Sequence, residues 1–312
     1  MKLFAFVFPG QGSQSVGMLD TWGNHPVVKK SLDEANCALG EDLAALIAKG
    51  SPQDLALTTN TQPAMLTAGV VAYRMWLEEG GAVPQVVAGH SLGEYTALVA
   101  AGALAFEDAV QLVRFRAQAM QEAVPVGTGA MAAVLGLPAE VVIGICAKIV
   151  QETNEVAEAV NFNDMSQTVI AGSKAGVEMA CEQLKAAGAK RALLLPVSAP
   201  FHSSLMKPAA DRLKEKLETV AFLAPEVKVL NNVDVVELRT PEQIRDSLYR
   251  QAFSPVRWVE TVQAMKVLGV SDVVECGAGK VLVGLMKRID SEVRAHAVVD
   301  PVSLAQTKEG LS

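Results

Sequence analysis

Ser91 lies at the centre of Gly89-His90-Ser91-Leu92-Gly93, a spacing that suits a serine nucleophile. Val86-Val87-Ala88 before it reads as a short buried strand, and the residues from Tyr95 to Ala101 after it favour a helix. A glycine two places to either side lets the chain turn sharply enough to push the hydroxyl out of the turn. The same turn frees the Leu92 N–H to meet a developing oxyanion. A chance turn is the competing reading, and the flanking strand and helix favour the elbow.

A serine nucleophile needs a base, and the chain has 4 histidines: His25, His90, His202 and His296. His90 adjoins Ser91 and points off the turn in another direction. His25 precedes Pro26 in a surface-loop pattern, and His296 falls in a C-terminal strand pattern. His202, in Ala199-Pro200-Phe201-His202, follows the apolar segment Ala192–Val197 and is expected in a loop above a sheet. It is the candidate base; an ordinary loop histidine is the alternative.

Arg116 carries a third signal. In the predicted helix Phe106–Glu122, Ala109, Leu112, Val113, Ala117 and Met120 form an apolar stripe, and Arg116 falls on it. A guanidinium among apolar side chains needs an anion, and its planar fork matches a carboxylate. That carboxylate is either a substrate's or an internal one such as Glu94. Arg114, grouped with Gln111, Gln118 and Gln121, is expected to be solvated.

The elements that must hold these residues follow from periodicity. Leu3–Phe8 reads as a buried strand, Val27–Leu39 and Pro63–Glu79 as helices, and Val86–Ala88 as the next strand. Strands joined through crossover helices build a parallel α/β sheet with its loops gathered at the carboxyl ends. The Gln11 loop and Ser91 both sit at such ends. From about residue 126 the pattern changes: strand Met131–Gly136, helix Pro138–Glu152, strands Val156–Phe162 and Thr168–Ala171, helix Gly176–Ala187, strand Arg191–Val197. That βαββαβ order is ferredoxin-like, so residues 126–197 are expected to form a subdomain inserted between 1–125 and 198–312. A helix Ser204–Thr219, a strand Val227–Leu230, helices Pro241–Arg250 and Val256–Leu268, a strand Asp272–Glu275 and a helix ending near Arg288 then resume the first pattern.

Composition excludes several classes. Half of the 312 residues are hydrophobic and the net charge is −7, which disfavours nucleic acid and anionic membrane as partners. Cys37, Cys146, Cys181 and Cys276 are widely spaced, with no histidine at metal-ligand spacing, so neither a metal site nor a disulfide framework is expected, and a reducing cytoplasm fits. Leu3–Phe8 is too short for a signal-peptide core, and no stretch reaches the ~18 apolar residues of a membrane span. Pro9-Gly10-Gln11-Gly12-Ser13-Gln14-Ser15 lacks the third glycine of a dinucleotide loop, and Gly277-Ala278-Gly279-Lys280 lacks phosphate-loop spacing.

Phe8-Pro9-Gly10-Gln11-Gly12, Thr61-Gln62-Pro63-Ala64, Gly89-His90-Ser91-Leu92-Gly93-Glu94, Arg116, Gly129-Ala130-Met131, Pro200-Phe201-His202, Asn231-Asn232-Val233 and Gly277-Ala278-Gly279-Lys280-Val281-Leu282 occur in that order. In this the chain resembles the malonyl-CoA:acyl-carrier-protein transacylases from Phe4 to about Ile289. The resemblance implies an α/β-hydrolase-like core with a ferredoxin-like insert. It implies Ser91 as acyl-accepting nucleophile, His202 as its base, the Gln11 and Leu92 amides as oxyanion hole and Arg116 as the clamp for the malonyl carboxylate. Gln62 would line the pocket, and Gln251 would orient the histidine through either its side chain or its main chain. Ala278 stands where the family often has proline. Ala-Pro-Phe-His replaces the family's frequent His-Ala-Phe-His; the bulky Phe201 is kept and favours malonyl over methylmalonyl.

The implied reaction moves a malonyl group from malonyl-CoA to the phosphopantetheine thiol of acyl carrier protein, as in fatty acid biosynthesis. No cofactor beyond the thioester substrate is required, and a monomer is expected. A trans-acting acyltransferase of a polyketide synthase and a serine esterase or thioesterase are the alternatives, the last having no use for Arg116. An acidic carrier would need a local basic cluster, for which Lys190 with Arg191 and Lys287 with Arg288 are the candidates.

Overall fold

The computed structural model describes residues 3–311; residues 1, 2 and 312, the outermost positions of the expected domain division, lie outside the described residues. β1 (Phe4–Phe8) is apolar and buried at every position, as a strand covered on both faces must be. α1 (Pro26–Leu39) follows, capped by His25 and ended by Gly40 at φ 65°. Two short helices, α2 (Leu43–Lys49) and α3 (Pro52–Ala56), lead to α4 (Thr58–Glu78). Tyr73 and Trp76 of α4 pack edge-on against Phe6 of β1.

α4 begins at Thr58, not at Pro63 as the pattern suggests. Thr61 Oγ1 donates to the Leu55 and Leu57 carbonyls and Asn60 Nδ2 to the Asp54 carbonyl, so side chains hold the turns before the proline.

β2 (Val86–Gly89), α5 (Gly93–Ala100) and α6 (Phe106–Glu122) come next. The following segment runs β3 (Gly129–Leu135), α7 (Ala139–Thr153), β4 (Ala157–Asp164), β5 (Gln167–Ser173), α8 (Lys174–Ala186) and β6 (Arg191–Leu194). β6 ends at Leu194, short of the expected Val197. Pro196 has no N–H to give a ladder, and the chain leaves the sheet before it. A 3₁₀ turn at Ser204–Met206 precedes α9 (Lys207–Glu218) where one helix was expected. Then come β7 (Lys228–Leu230), β8 (Glu237–Leu238), α10 (Pro241–Gln251), α11 (Trp258–Val267), β9 (Asp272–Cys276), α12 (Val281–Ile289), β10 (Arg294–Val298) and α13 (Pro301–Leu311). α11 starts at Trp258; Val256 just before it is used in a bridge to Asn161 of β4, which ties the smaller sheet to the loop between α10 and α11.

The larger sheet has strand order β10-β9-β1-β2-β7-β8, parallel throughout except for β8 against β7. β1 and β2 are thus adjacent and central, and their carboxyl ends place the Gln11 loop beside Ser91. The smaller sheet is antiparallel, in the order β4-β5-β3-β6. Read from its other edge, that is the fourth, first, third and second strand of a βαββαβ unit, the ferredoxin-like arrangement. A separate apolar core including Val142, Ile149, Val177 and Leu184 joins α7 and α8 to it.

Candidate active site

The turn at Ser91 is enforced by its two glycines. A Cβ on Gly89 would lie 1.8 Å from the Gly93 carbonyl carbon, and one on Gly93 would lie 2.0 Å from the Phe8 carbonyl oxygen. No side chain fits at either place. Ser91 itself has φ 51°, a left-handed conformation that an L residue keeps only where its surroundings hold it. Asn232 Oδ1 accepts from the Ser91 N–H at 2.8 Å, and Gln251 Nε2 donates to the Ser91 carbonyl at 3.0 Å. Both peptide groups of the elbow are therefore gripped by side chains from the far end of the chain.

Ser91 Oγ lies 2.7 Å from His202 Nε2, and His202 Nδ1 lies 2.8 Å from the main-chain oxygen of Gln251. A carbonyl only accepts, so Nδ1 carries the proton and Nε2 turns a lone pair to the serine. Of the two alternatives for Gln251, it is the main-chain oxygen and not the side chain that meets His202. Burial and then the nearby Arg116 charge push the His202 pKa down to about 3.

Arg116 is 2 % exposed. Its Nη1 donates to Gln62 Oε1 at 2.8 Å, and its Nη2 donates to Gln251 Oε1 at 3.0 Å and to Ser91 Oγ at 3.1 Å. Among the described residues no carboxylate lies within ion-pair distance of it. Glu94 is not its partner: that carboxylate faces Asn232, Ser247 and Gln251, and the Gln251 amide stands between the two. Arg114 departs from expectation, since its side chain is only 14 % exposed and pairs with Glu41.

These groups open into a cavity of about 420 Å³. Met131, Val169, Val197 and Phe201 give it an apolar wall, and Gln11, Gln62, Leu92 and Arg116 also line it. Among the described residues neither the Gln11 nor the Leu92 main-chain N–H meets a backbone acceptor. The Gln11 side chain is tied to Arg116 by a relay: Thr58 Oγ1 donates to Gln11 Oε1 at 2.9 Å, and Gln62 Nε2 reaches Thr58 Oγ1 at 3.3 Å. His90 turns away from the serine to Asn163 Oδ1 at 2.8 Å; His25 and His296 lie elsewhere, at the cap before α1 and on β10. Sequence reasoning gives no role to Thr58 or Asn232. Asn232 falls in Asn231-Asn232-Val233, one of the motifs that carry the resemblance, two residues past a strand that, like β2, ends at the loop side of the sheet.

A serine on a sharp strand-to-helix turn of a parallel sheet, with a histidine 2.7 Å from its hydroxyl and a smaller antiparallel sheet contributing to the cavity wall, is an arrangement that suits an acyl-transfer enzyme. The family model described as acyl transferase domain matches residues 5–299, and the chain belongs to that family. It is 51% identical over 310 residues to the malonyl CoA-acyl carrier protein transacylase of Escherichia coli (strain K12), covering 99% of this chain and 100% of the relative. The crystal structure of acyl-carrier-protein S-malonyltransferase from Burkholderia pseudomallei 1710b superposes with a TM-score of 0.97 at 60% identity, covering 99% of this chain and 100% of that one. A malonyl-transacylase in complex with its type II polyketide acyl-carrier protein superposes with a TM-score of 0.97 at 48% identity, over 99% and 100% of the two chains.

Proposed function

We propose that this chain transfers a malonyl group from malonyl-CoA to the phosphopantetheine thiol of an acyl carrier protein, with Ser91 carrying the group between them. The observation behind this reading is Arg116: a buried guanidinium with no carboxylate partner among the described residues, 3.1 Å from the candidate nucleophile. A substrate that carries a free carboxylate one methylene away from its thioester carbon completes the site. Acetyl does not.

In loading, His202 Nε2 takes the Ser91 proton as Oγ attacks the thioester carbonyl. The Gln11 and Leu92 amides hold the resulting oxyanion, a term worth roughly 10²–10³ in rate per donor. Collapse breaks the C–S bond, and the imidazolium returns its proton to the departing coenzyme A sulfur. Discharge repeats these steps with the carrier thiol as nucleophile and Ser91 Oγ as leaving group. Arg116 and Gln62 hold the malonyl carboxylate, and Phe201 fills the wall where a methyl branch would sit. Because every group comes from one chain, a monomer is the proposed working unit. Residues 126–197 are proposed as the subdomain that roofs the cavity.

The carrier is proposed to dock beside Lys190, Arg191 and Lys287. A polyketide carrier is a second reading, favoured by the likeness to the transacylase bound to one; comparing kcat/KM for carriers of the two kinds separates them. The reaction itself is tested by mass spectrometry of the intact protein after incubation with malonyl-CoA. One malonyl group is expected on wild type and none on Ser91→Ala; equal labelling of the variant would overturn the assignment.

A further inference from the structure

Glu94, three residues after the nucleophile on the first turn of α5, is fully buried and has no part in the steps above. Its Oε2 accepts from the Asn232 main-chain N–H at 2.9 Å and from Gln251 Nε2 at 3.0 Å, while its Oε1 accepts from Ser247 Oγ at 3.2 Å. The two residues on Oε2 are the two that grip the elbow. Asn232 Oδ1 takes the Ser91 N–H, and Gln251 Nε2 also donates to the Ser91 carbonyl.

A carboxylate can only accept, so it dictates which way a neighbouring amide faces. Beside Glu94 the Gln251 amide must turn its NH₂ inward, and its oxygen is then left for Arg116 Nη2 at 3.0 Å. With the amide reversed, two donors would confront each other across Arg116 and two acceptors across Glu94. The Gln251 main-chain oxygen, on the same residue, orients His202. We infer that Glu94 is the positioning residue of this site: its carboxylate fixes Asn232 and Gln251, and through them the Ser91 turn and the aim of Arg116.

The inference rests on the reading of Ser91 as acyl carrier and Arg116 as carboxylate clamp. Glu94 is costly to keep, since burial pushes its pKa up to about 7 against the three donors that oppose the shift. Removing the carboxylate leaves three buried donors without their acceptor and costs stability whatever its role. A purely structural role would lower the melting temperature and leave the loading rate and acyl preference of the folded variant unchanged, whereas a positioning role changes both.

Single-turnover loading by malonyl-CoA and acetyl-CoA, measured beside thermal melting, tests this with Glu94→Gln and Glu94→Leu. In the Gln variant the amide oxygen can face Asn232 and Gln251 while its NH₂ meets Ser247 Oγ, so most of the loading rate is retained. The Leu variant melts cooperatively, loads malonyl about a hundredfold more slowly, as expected for a reacting group displaced by about an ångström, and loses its preference for malonyl over acetyl. Should the Leu variant not fold, Glu94→Asp, which keeps the charge one methylene short of its partners, is expected to show the same two losses. A folded Leu or Asp variant that loads malonyl at the wild-type rate with unchanged preference overturns the inference, as does a Gln variant as slow as the Leu variant. Ser91→Ala run alongside separates the cases: labelling of that variant overturns the Ser91 reading on which the inference rests, whereas an unlabelled Ser91→Ala beside a Glu94→Leu variant of wild-type rate and preference overturns the role of Glu94 alone.

Discussion

His202 meets Ser91 as a neutral base because its other nitrogen is tied to a carbonyl, with no carboxylate behind it. Burial and the Arg116 charge hold its pKa down to about 3, so the imidazole is expected to show no titration between pH 5 and 8 by nitrogen NMR. A midpoint near the ordinary 6.5 would contradict the geometry. The stability consequence has a definite sign: the unfolded chain takes up this proton below about 6.5 and the native state only near 3, so stability is full above that window and falls as pH drops through it. Arg116→Ala should cost malonyl about 2–5 kcal/mol of binding, the range for removing one partner of a buried charge pair, and leave acetyl transfer unchanged or faster. Arg114→Ala is a poor control, because Arg114 is mostly covered and paired with Glu41; Arg116→Lys is the better comparison, keeping the charge and losing the fork. Ser91, His202 and Arg116 are legible in the sequence because each violates a local expectation: a serine between glycines, a histidine after a strand, a charge on an apolar stripe. Asn232, Thr58 and the working atom of Gln251 are not, because their roles depend on which groups the fold brings together across 141, 47 and 49 residues of sequence respectively.

The elbow as an element rests on two glycines that admit no substitute. Gly93→Ala would set a Cβ 2.0 Å from a carbonyl oxygen of β1, backbone against backbone, and should destabilise the protein by at least about 1–3 kcal/mol, the usual cost of overpacking, in urea denaturation. Gly144, exposed in the middle of α7 with open space around its missing Cβ, is the counterpart. Gly144→Ala should stabilise by up to about 1 kcal/mol through helix propensity alone, and equal destabilisation of both variants would show that the clash at Gly93 is not the cause. The same scale explains where sequence reading loses elements. α6 is legible to its termini because five apolar positions repeat along it, whereas α2 and α3 are shorter than the window in which a period can be seen. β6 is read too long because Leu195 and Val197 are apolar for another reason: they face the cavity and not a sheet.

At the scale of the whole molecule the question is how a chain of net charge −7 would receive the carrier proposed for it, if that carrier is itself acidic. The two basic pairs are nearly a hundred residues apart in sequence, yet the smaller sheet brings them to one end. Leu135 of β3 stands between Arg191 of β6 and Gln167 of β5 in the strand register, which places those two backbones about 10 Å apart. Gln167 lines the cavity, and Arg288 reaches it at 3.4 Å while pairing with the buried Asp164 at 2.6 Å. Lys190, Arg191 and Lys287 are exposed beside this end. Arg288 is unsuitable for reversal, since that would strand the Asp164 carboxylate. Charge reversal at Lys190 and Arg191, or at Lys287, is expected to raise the KM for carrier protein at low salt. The effect should shrink as ionic strength passes about 0.1 M, where the screening length is near 10 Å, while malonyl loading from coenzyme A changes much less. A carrier KM that stays at the wild-type value at low salt in both variants would place the docking surface elsewhere.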